Sequence, residues 1–322
     1  VYLFQEDYKI ESFSYDSTSG SAQDGYLRVR QKNDAYALFG AVTYEASPAL
    51  KLRGGLRYTQ DKKQFSVEDY WNTGFVPCVL SAKCNLTQLA GQEPDGNLSA
   101  SPKDKKLNWD VSGTYALDKN TNLYARAATG FRGSSVQGAS AFNGKSLAGP
   151  ETNLSYEAGV KADLFDRRAR LNFGVFHYDV KDLQLTAVGG LTGNANVLVS
   201  AKKASGQGFE MDLQAYLSDN LLASLGVGYN DTQIKDPKLA VSPCAACTVT
   251  DPLVAGKALI NGNALPQAPK STVNFTLRYS RPIGNGAEVY AYTDWVYRSK
   301  VNFFLYESVE FISKPLTEGG LR

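Results

Sequence analysis

The stretch TNLYARAATGFR, residues 121–132, decides the fold because its side chains alternate in character along the chain. In a β-strand, successive side chains point to opposite faces. One face of this stretch carries no charge and holds Leu123, Ala125, Ala127, Thr129 and Phe131. The other face carries two arginines and holds Tyr124, Arg126, Ala128, Gly130 and Arg132. The two faces are therefore suited to different surroundings, one apolar and one wet.

The same period of two recurs along most of the chain and is its dominant pattern. In LKLRGGLRYT, residues 50–59, the leucines fall on one face and both arginines on the other. The pattern predicts twelve strands, near residues 1–9, 26–45, 49–68, 104–117, 121–132, 152–164, 168–186, 203–217, 220–233, 270–280, 287–300 and from 316 onward. The predicted class is all-β.

Composition excludes several other classes of protein. Hydrophobic residues make up 43% and charged residues 20%, which excludes a disordered chain. No apolar run reaches the ~18 residues of a membrane helix. The net charge of +2, from 34 basic and 32 acidic residues, lacks the excess of positive charge that nucleic-acid binding needs. We therefore expect no nucleic-acid partner.

The length of the predicted strands favours a membrane barrel. Most run to roughly eleven residues or more, about twice the usual strand of a soluble sheet. Eleven residues span about 36 Å, and a tilt of ~40° projects this to about 28 Å, slightly more than the ~25 Å apolar band of an outer-membrane barrel. A soluble β-sandwich, the alternative, also alternates. In the barrel, the apolar faces meet lipid, and Arg126 and Arg132 line a hydrated interior.

The predicted connections alternate in length, which also favours a barrel. Short turns fall at residues 45–49, 117–120, 165–168, 217–220 and 281–286. Long polar loops fall near residues 69–103, 133–151, 187–202, 234–269 and 301–315. Because alternate connections of an up-and-down meander lie at the same end, one rim has tight turns and the other a canopy of loops. Transmembrane β-barrels have this asymmetry, with the long loops outside the cell.

Four cysteines form two close pairs, Cys78 with Cys84 and Cys244 with Cys247. Each pair lies in a predicted long loop, which suggests local disulfides and an oxidising compartment. A bond between Cys78 and Cys244 stays open, because two loops of one rim can touch. CAAC at 244–247 as a redox or zinc motif is the weaker interpretation, since neither a helix nor further ligands accompany it. We expect no metal site, no cofactor and no catalytic residues.

Several segments together resemble the barrel of TonB-dependent outer-membrane receptors. The matching stretches are LRGGLRYTQDKK (52–63), NLYARAATGFR (122–132), PETNLSYEAGVK (150–161), FHYDVKDLQ (176–184), SGQGFEMDL (205–213), ALPQAPKSTVNFTLRYS (264–280) and DWVYRS (294–299). Each motif alone is weak, but seven in order are specific.

The resemblance implies a 22-stranded barrel closed by a plug domain, in the outer membrane of a Gram-negative bacterium. It implies uptake of a scarce ligand, such as a ferric siderophore, with energy supplied through TonB and its inner-membrane complex. Residues 1–322 would be part of that barrel, about twelve of its strands, without the plug. This expectation of a partial barrel follows from the missing plug and TonB box. A plugless porin, an autotransporter barrel and a soluble β-rich binding protein or enzyme are the alternatives.

In this family the ligand contacts the plug, the inner wall and the outer loops. The resemblance therefore points to loop aromatics and cations, because aromatic faces and positive groups suit planar or anionic chelates. The candidates are Tyr70, Trp71, Arg132, Phe142 and Lys145. The alternative interpretation is that they are girdle and solvated loop residues.

Overall fold

The computed structural model describes residues 1–14, 25–72, 86–88, 98–137, 147–190 and 195–322. Its main elements are twelve long strands: β1 (Tyr2–Ser14), β2 (Gly25–Glu45), β3 (Leu50–Asn72), β4 (Lys103–Ala116), β5 (Thr121–Arg132), β6 (Glu151–Leu164), β7 (Ala169–Gly189), β8 (Ala195–Ser218), β9 (Leu221–Ile234), β10 (Ser271–Gly284), β11 (Ala287–Arg298) and β12 (Leu316–Leu321). In the part of the chain that the structure describes, no helix is long and apolar enough to cross a membrane.

The twelve strands form one antiparallel meander in which each strand pairs with the next along the chain. Two short strands, Leu86–Gln88 and Leu98–Ala100, also pair with β3. The prediction of twelve successive strands is confirmed, and the all-β antiparallel class with it. The main sheet is therefore built from neighbours in sequence, and the described connections hold three small sheets of two or three strands.

One predicted loop is wrong. Residues 187–202 were expected to form a long connection, but β7 and β8 stay paired up to Gly189 and Ala195, apart from Asp182 and Lys202. The run NVLVS at 196–200 supplies the branched side chains that favour a strand. This hairpin therefore continues well beyond the length needed to cross the membrane.

The strand register brings apolar side chains together on one face of the sheet and polar side chains together on the other. Ala127 lies opposite Val111 on one side and Tyr156 on the other, so the three belong to one apolar surface. That surface continues across β2 and β3, where Val42 is 72% exposed and Leu56 is 59% exposed. An apolar surface of this extent, uncovered by protein, is suited to acyl chains. The opposite face of the sheet is the inner wall.

Two apolar clusters lie outside the membrane band, at the rim of long connections. One cluster is buried among Ala187, Ala201, Ile234, Val241, Ala258, Ile260, Leu305 and Tyr306. The other is buried among Val29, Phe65, Val67, Leu98 and Ala100. Short strands stiffen the same connections, at Ser135–Val136, Leu147–Ala148, Ala240–Val241, Leu253–Val254, Lys257–Leu259, Val301–Asn302 and Ile312–Ser313, with a 3-10 turn at Val309–Phe311. The loops at this rim are thus packed layers.

The assignment of the two faces is testable at neighbouring residues of β9. Leu225 lies opposite Leu213 and Phe275 on the apolar face, whereas Ser224 lies opposite Gln214 and Thr276 on the inner wall. We expect Leu225→Arg to lower the free energy of unfolding from a bilayer by about 2–4 kcal/mol, because a charge near the midplane loses its hydration. Ser224→Arg should cost less than about 1 kcal/mol. Urea unfolding in phospholipid vesicles measures both, and equal losses would contradict the assignment.

Candidate functional site

The inner wall gathers charged side chains from successive strands into one row. Arg53 lies opposite Ser112, Ser112 lies opposite Arg126, and Arg126 lies opposite Glu157. Since directly paired residues share a face, all four side chains belong to the same surface. The row is cationic at Arg53 and Arg126 and acidic at Glu157 on β6, and it continues with the uncharged Phe176 and Gly208. We take this wall as the candidate functional site.

The cationic part is a shallow cavity of about 480 Å³ on β2–β5. The guanidinium carbon of Arg57 lies 5.3 Å from the ring centre of Tyr2 and 5.4 Å from that of Phe39. Arg53 makes a long ion pair with Asp110, with 3.5 Å between Nη1 and Oδ2. Within the described ranges, the exposed side chain of Arg126 has no ion pair or hydrogen bond. Arg126 is thus available to a ligand.

The acidic part lies next to it, around a cavity of about 230 Å³ on β5–β8. The Tyr124 hydroxyl donates a hydrogen bond of 2.6 Å to Oε1 of Glu157. The ring of Tyr124 lies over Gly159, where an added Cβ would come within 2.7 Å of its Cε1 atom. Glu210 and Asp212 also line this cavity, as does Lys161, whose Nζ lies 5.6 Å from the ring centre of Tyr124. These carboxylates can accept hydrogen bonds from a cationic or hydroxylic group.

The segment after β5 is held against the wall by two buried glutamines. Gln184 donates to the carbonyl oxygens of Gly133 at 2.9 Å and Gly149 at 2.8 Å. The side-chain amide of Gln137 donates to the carbonyl of Asn196 at 2.8 Å. Both glutamines are more than nine-tenths buried. Arg132, which ends β5 and is exposed, is therefore presented from a fixed segment.

The two long connections near the carboxyl end form one rigid layer. Asn263 donates to the carbonyl of Leu305 at 3.0 Å and to Oδ2 of Asp251 at 2.9 Å. A disulfide joins Cys244 to Cys247, and the Cys244 amide donates to the Tyr306 hydroxyl at 3.2 Å. Two loops far apart in sequence are thereby fixed to each other.

The structure places the predicted site residues in different parts of the chain. The structure corrects the placement of Tyr70 and Trp71, because their backbone belongs to β3 and pairs with Gln88 and Thr87 rather than forming a loop. Arg132 lies at the long-connection end of β5, on the strand face shared with Arg126. Phe142 and Lys145 lie outside the described residues, as do Cys78 and Cys84.

The sequence-based candidates missed Arg53, Arg57 and Tyr124 because they were sought in loops. The available signal was the alternation itself, which places these residues on the polar face of β3 and β5. Among the described residues, no group of three or more His, Cys, Asp or Glu side chains is placed to hold a metal ion.

The comparisons with known proteins agree with this architecture. The family described as "TonB dependent receptor-like, beta-barrel" matches residues 2–309. A curated relative, the metal-pseudopaline receptor CntO of Pseudomonas aeruginosa, is 31% identical over 127 residues, which are 39% of this chain and 17% of the relative. The chain thus matches less than a fifth of that relative's length.

Two solved structures share the fold. The ferric yersiniabactin uptake receptor FyuA of Yersinia pestis has a TM-score of 0.69 at 14% identity, over 97% of this chain and 41% of that one. The copper transporter OprC has a TM-score of 0.62 at 15% identity, over 98% of this chain and 44% of that one. At these identities the likeness shows the barrel fold alone.

The contact between the two rigid loops should weaken in acid. Both carboxylate oxygens of Glu310 accept from the Thr248 amide, at 3.1 and 3.0 Å. Hydrogen bonding with Thr248 lowers the pKa of Glu310 below its ordinary value of 4.5. A lowered pKa gives stability that is present above the unfolded-state pKa and is lost as the pH falls through the folded-state pKa.

We therefore expect the Thr248 amide to lose protection from hydrogen exchange as the pH falls below 4.5, after correction for the intrinsic exchange rate. Exchange of the peptide around Thr248 measures this. Glu310→Gln should remove the pH dependence, and protection that is independent of pH in the unaltered protein would contradict the role of Glu310.

Proposed function

Because this chain belongs to the TonB-dependent receptor β-barrel family and is an outer-membrane protein, we propose that it is part of a transporter for an anionic metal chelate. The family consists of transport receptors rather than enzymes. The choice of ligand rests on the arginine cluster of the inner wall, formed by Arg53, Arg57 and Arg126. Among the described residues, the Arg126 side chain has no ion pair or hydrogen bond. Ferric and other metal complexes of carboxylate-rich or catecholate chelators carry the matching negative charge.

The arrangement of charges supports a directional role for the wall. Guanidinium groups bind carboxylates through paired hydrogen bonds, and the Arg57 guanidinium lies close to the rings of both Tyr2 and Phe39. Arg132, on the same face of β5, continues the positive surface toward the rim of long connections. A ligand captured at that rim would therefore find further cations along the wall.

The same proposal assigns the partners. A plug domain outside residues 1–322 would fill the bore, contact TonB and receive energy from the inner-membrane complex. The acidic cavity with Glu157, Glu210 and Asp212 offers acceptors to cationic side chains of such a plug. Further strands would complete the barrel, because the outer edges of β1 and β12 need hydrogen-bond partners inside a membrane. The relatives named above, receptors for metal chelates and a copper transporter, support this class of cargo.

A transport experiment tests the function. Deleting the gene from the source bacterium should abolish growth on at least one metal chelate supplied as the sole source of that metal. Deleting TonB should have the same effect on that chelate, because uptake against a gradient needs energy. Uptake that persists without TonB would instead indicate a diffusion porin and would contradict the proposal.

The arginine cluster is tested separately in the full-length receptor. Arg126→Gln should weaken chelate binding roughly 10–100-fold, because one charge-assisted hydrogen bond contributes about 1.5–3 kcal/mol. Arg168→Gln is the matched control, since Arg168 lies at a tight turn and pairs with Asp219 at 2.8 Å. Binding of the radiolabelled chelate to whole cells measures both. Equal affinities for the two variants would exclude Arg126 from the binding site.

A further inference from the structure

Three lysines form a patch on the membrane-facing side of β3 and β4, just beyond the apolar band. Lys62 lies opposite Lys103, and Lys105 lies opposite Gln60 two positions closer to the band. The next position on that face is the apolar pair Tyr58 and Leu107. Because residues two apart share a strand face, the lysine patch of Lys62, Lys103 and Lys105 belongs to the outer surface, not to the inner wall.

The lysine patch has little acidic compensation. Asp34 lies opposite Lys62 on β2, and its carboxylate makes an ion pair with Lys32 at 3.9 Å. Across the described residues, no hydrogen bond or ion pair engages the side chain of Lys62, Lys103 or Lys105. Lys103 and Lys105 are exposed and Lys62 is half-buried. Three ammonium groups are thus free at the level where lipid head groups begin.

The patch lies at the rim of long connections. β2 and β3 join through a short turn between Glu45 and Leu50, which lies at the opposite rim. Lys103 begins β4 immediately after a long connection. In outer-membrane barrels the long connections face the outside of the cell. The lysine patch therefore faces the outer leaflet.

An apolar groove lies below the lysine patch on the same surface. Its cavity of about 610 Å³ is lined by Val42, Leu56, Trp109 and Val111 and has Gly40 and Gly54 at its floor. A Cβ added to either glycine would meet no atom within 4 Å, so the floor is open to the membrane. The groove widens across β4–β7 into a cavity of about 990 Å³.

The distance from the lysine patch to the groove matches the length of a lipid acyl chain within one leaflet. Gln60, opposite Lys105, is six residues from Gly54, about 20 Å along the strand. A tilt of ~40° reduces this to about 15 Å, which is half the thickness of the ~30 Å hydrocarbon core. The groove therefore lies where the tail of an outer-leaflet lipid ends.

We propose that the lysine patch and the groove form a binding site for a phosphorylated, multiply acylated lipid of the outer leaflet, of the lipid A type. The ammonium groups bind the phosphates and the groove holds one acyl chain. Charge complementarity selects this occupant, because a second protein chain would not need free cations at the height of the head groups. The proposal rests on the membrane-facing surface and not on the identity of the transported chelate.

Lipid A retention by the full-length receptor tests the site. The variant Lys62→Gln/Lys103→Gln/Lys105→Gln should retain at least tenfold less lipid A after purification in mild detergent, measured by mass spectrometry. The matched control, Lys51→Gln/Lys119→Gln/Arg281→Gln, removes the same charge at the rim of tight turns and should retain the wild-type amount. Equal retention by the two variants would overturn the proposal.

Two further experiments test the phosphate contact and the acyl-chain groove separately, without relying on the lysine variant. Lipid A freed of its phosphates should bind the delipidated wild-type receptor at least tenfold more weakly, and inorganic pyrophosphate should not compete. Gly54→Leu places its Cβ in open space and should fill the groove, which lowers lipid A binding severalfold with the thermal unfolding midpoint unchanged. Equal binding of both lipids, or competition by pyrophosphate, would overturn the lipid site.

Discussion

Backbone hydrogen bonding inside a membrane is the constraint from which the rest of this structure follows. Each unpaired N–H or C=O group in hydrocarbon costs several kcal/mol, so every crossing strand must be paired along its length. The meander meets most of this requirement for β2–β11 by pairing each strand with its neighbours. Where the β4–β5 ladder stops, at Asp110 and Ala128, the Thr129 hydroxyl accepts from the Trp109 amide at 2.9 Å and donates to the Trp109 carbonyl at 3.3 Å. Most irregular backbone lies at the two rims, where water, other loops or the extended ends of strands supply partners. The apolar clusters outside the membrane band show that several described connections of the longer rim pack against one another.

The candidate site is a consequence of the same alternation. Once one side of every strand faces lipid, the other side must hold the polar residues, and the register brings them together from strands distant in sequence. Arg53 and Arg126 are separated by 73 residues, the difference of their numbers, yet both lie opposite Ser112. An anionic ligand would thus contact a positive surface whose residues come from several strands. The pairing of neighbouring strands alone gathers the charged side chains of the wall, without a contribution from a loop.

How much the sequence predicted depends on the range of the interactions. The twelve strands and their two faces were predictable, because a period of two is a local property. The extension of β7 and β8 and the strand position of Tyr70 and Trp71 were not, because polar strand ends look like loops until their partners are known. The contacts of Gln184 with Gly133 and Gly149 span 51 and 35 residues. No local pattern distinguishes such a glutamine from a solvated one.

Two adjacent glycines show how one local pattern shapes both surfaces. Gly54 and Gly55 are neighbours in β3, so their missing side chains fall on opposite faces. At Gly55 an added Cβ would collide with the Asp110 carboxylate, which pairs with Arg53 on the inner wall. At Gly54 an added Cβ would meet nothing, and the space is the floor of the outer groove. A side chain at the first position would therefore change the surface toward lipid, and one at the second would disturb the arrangement of charges around Arg53.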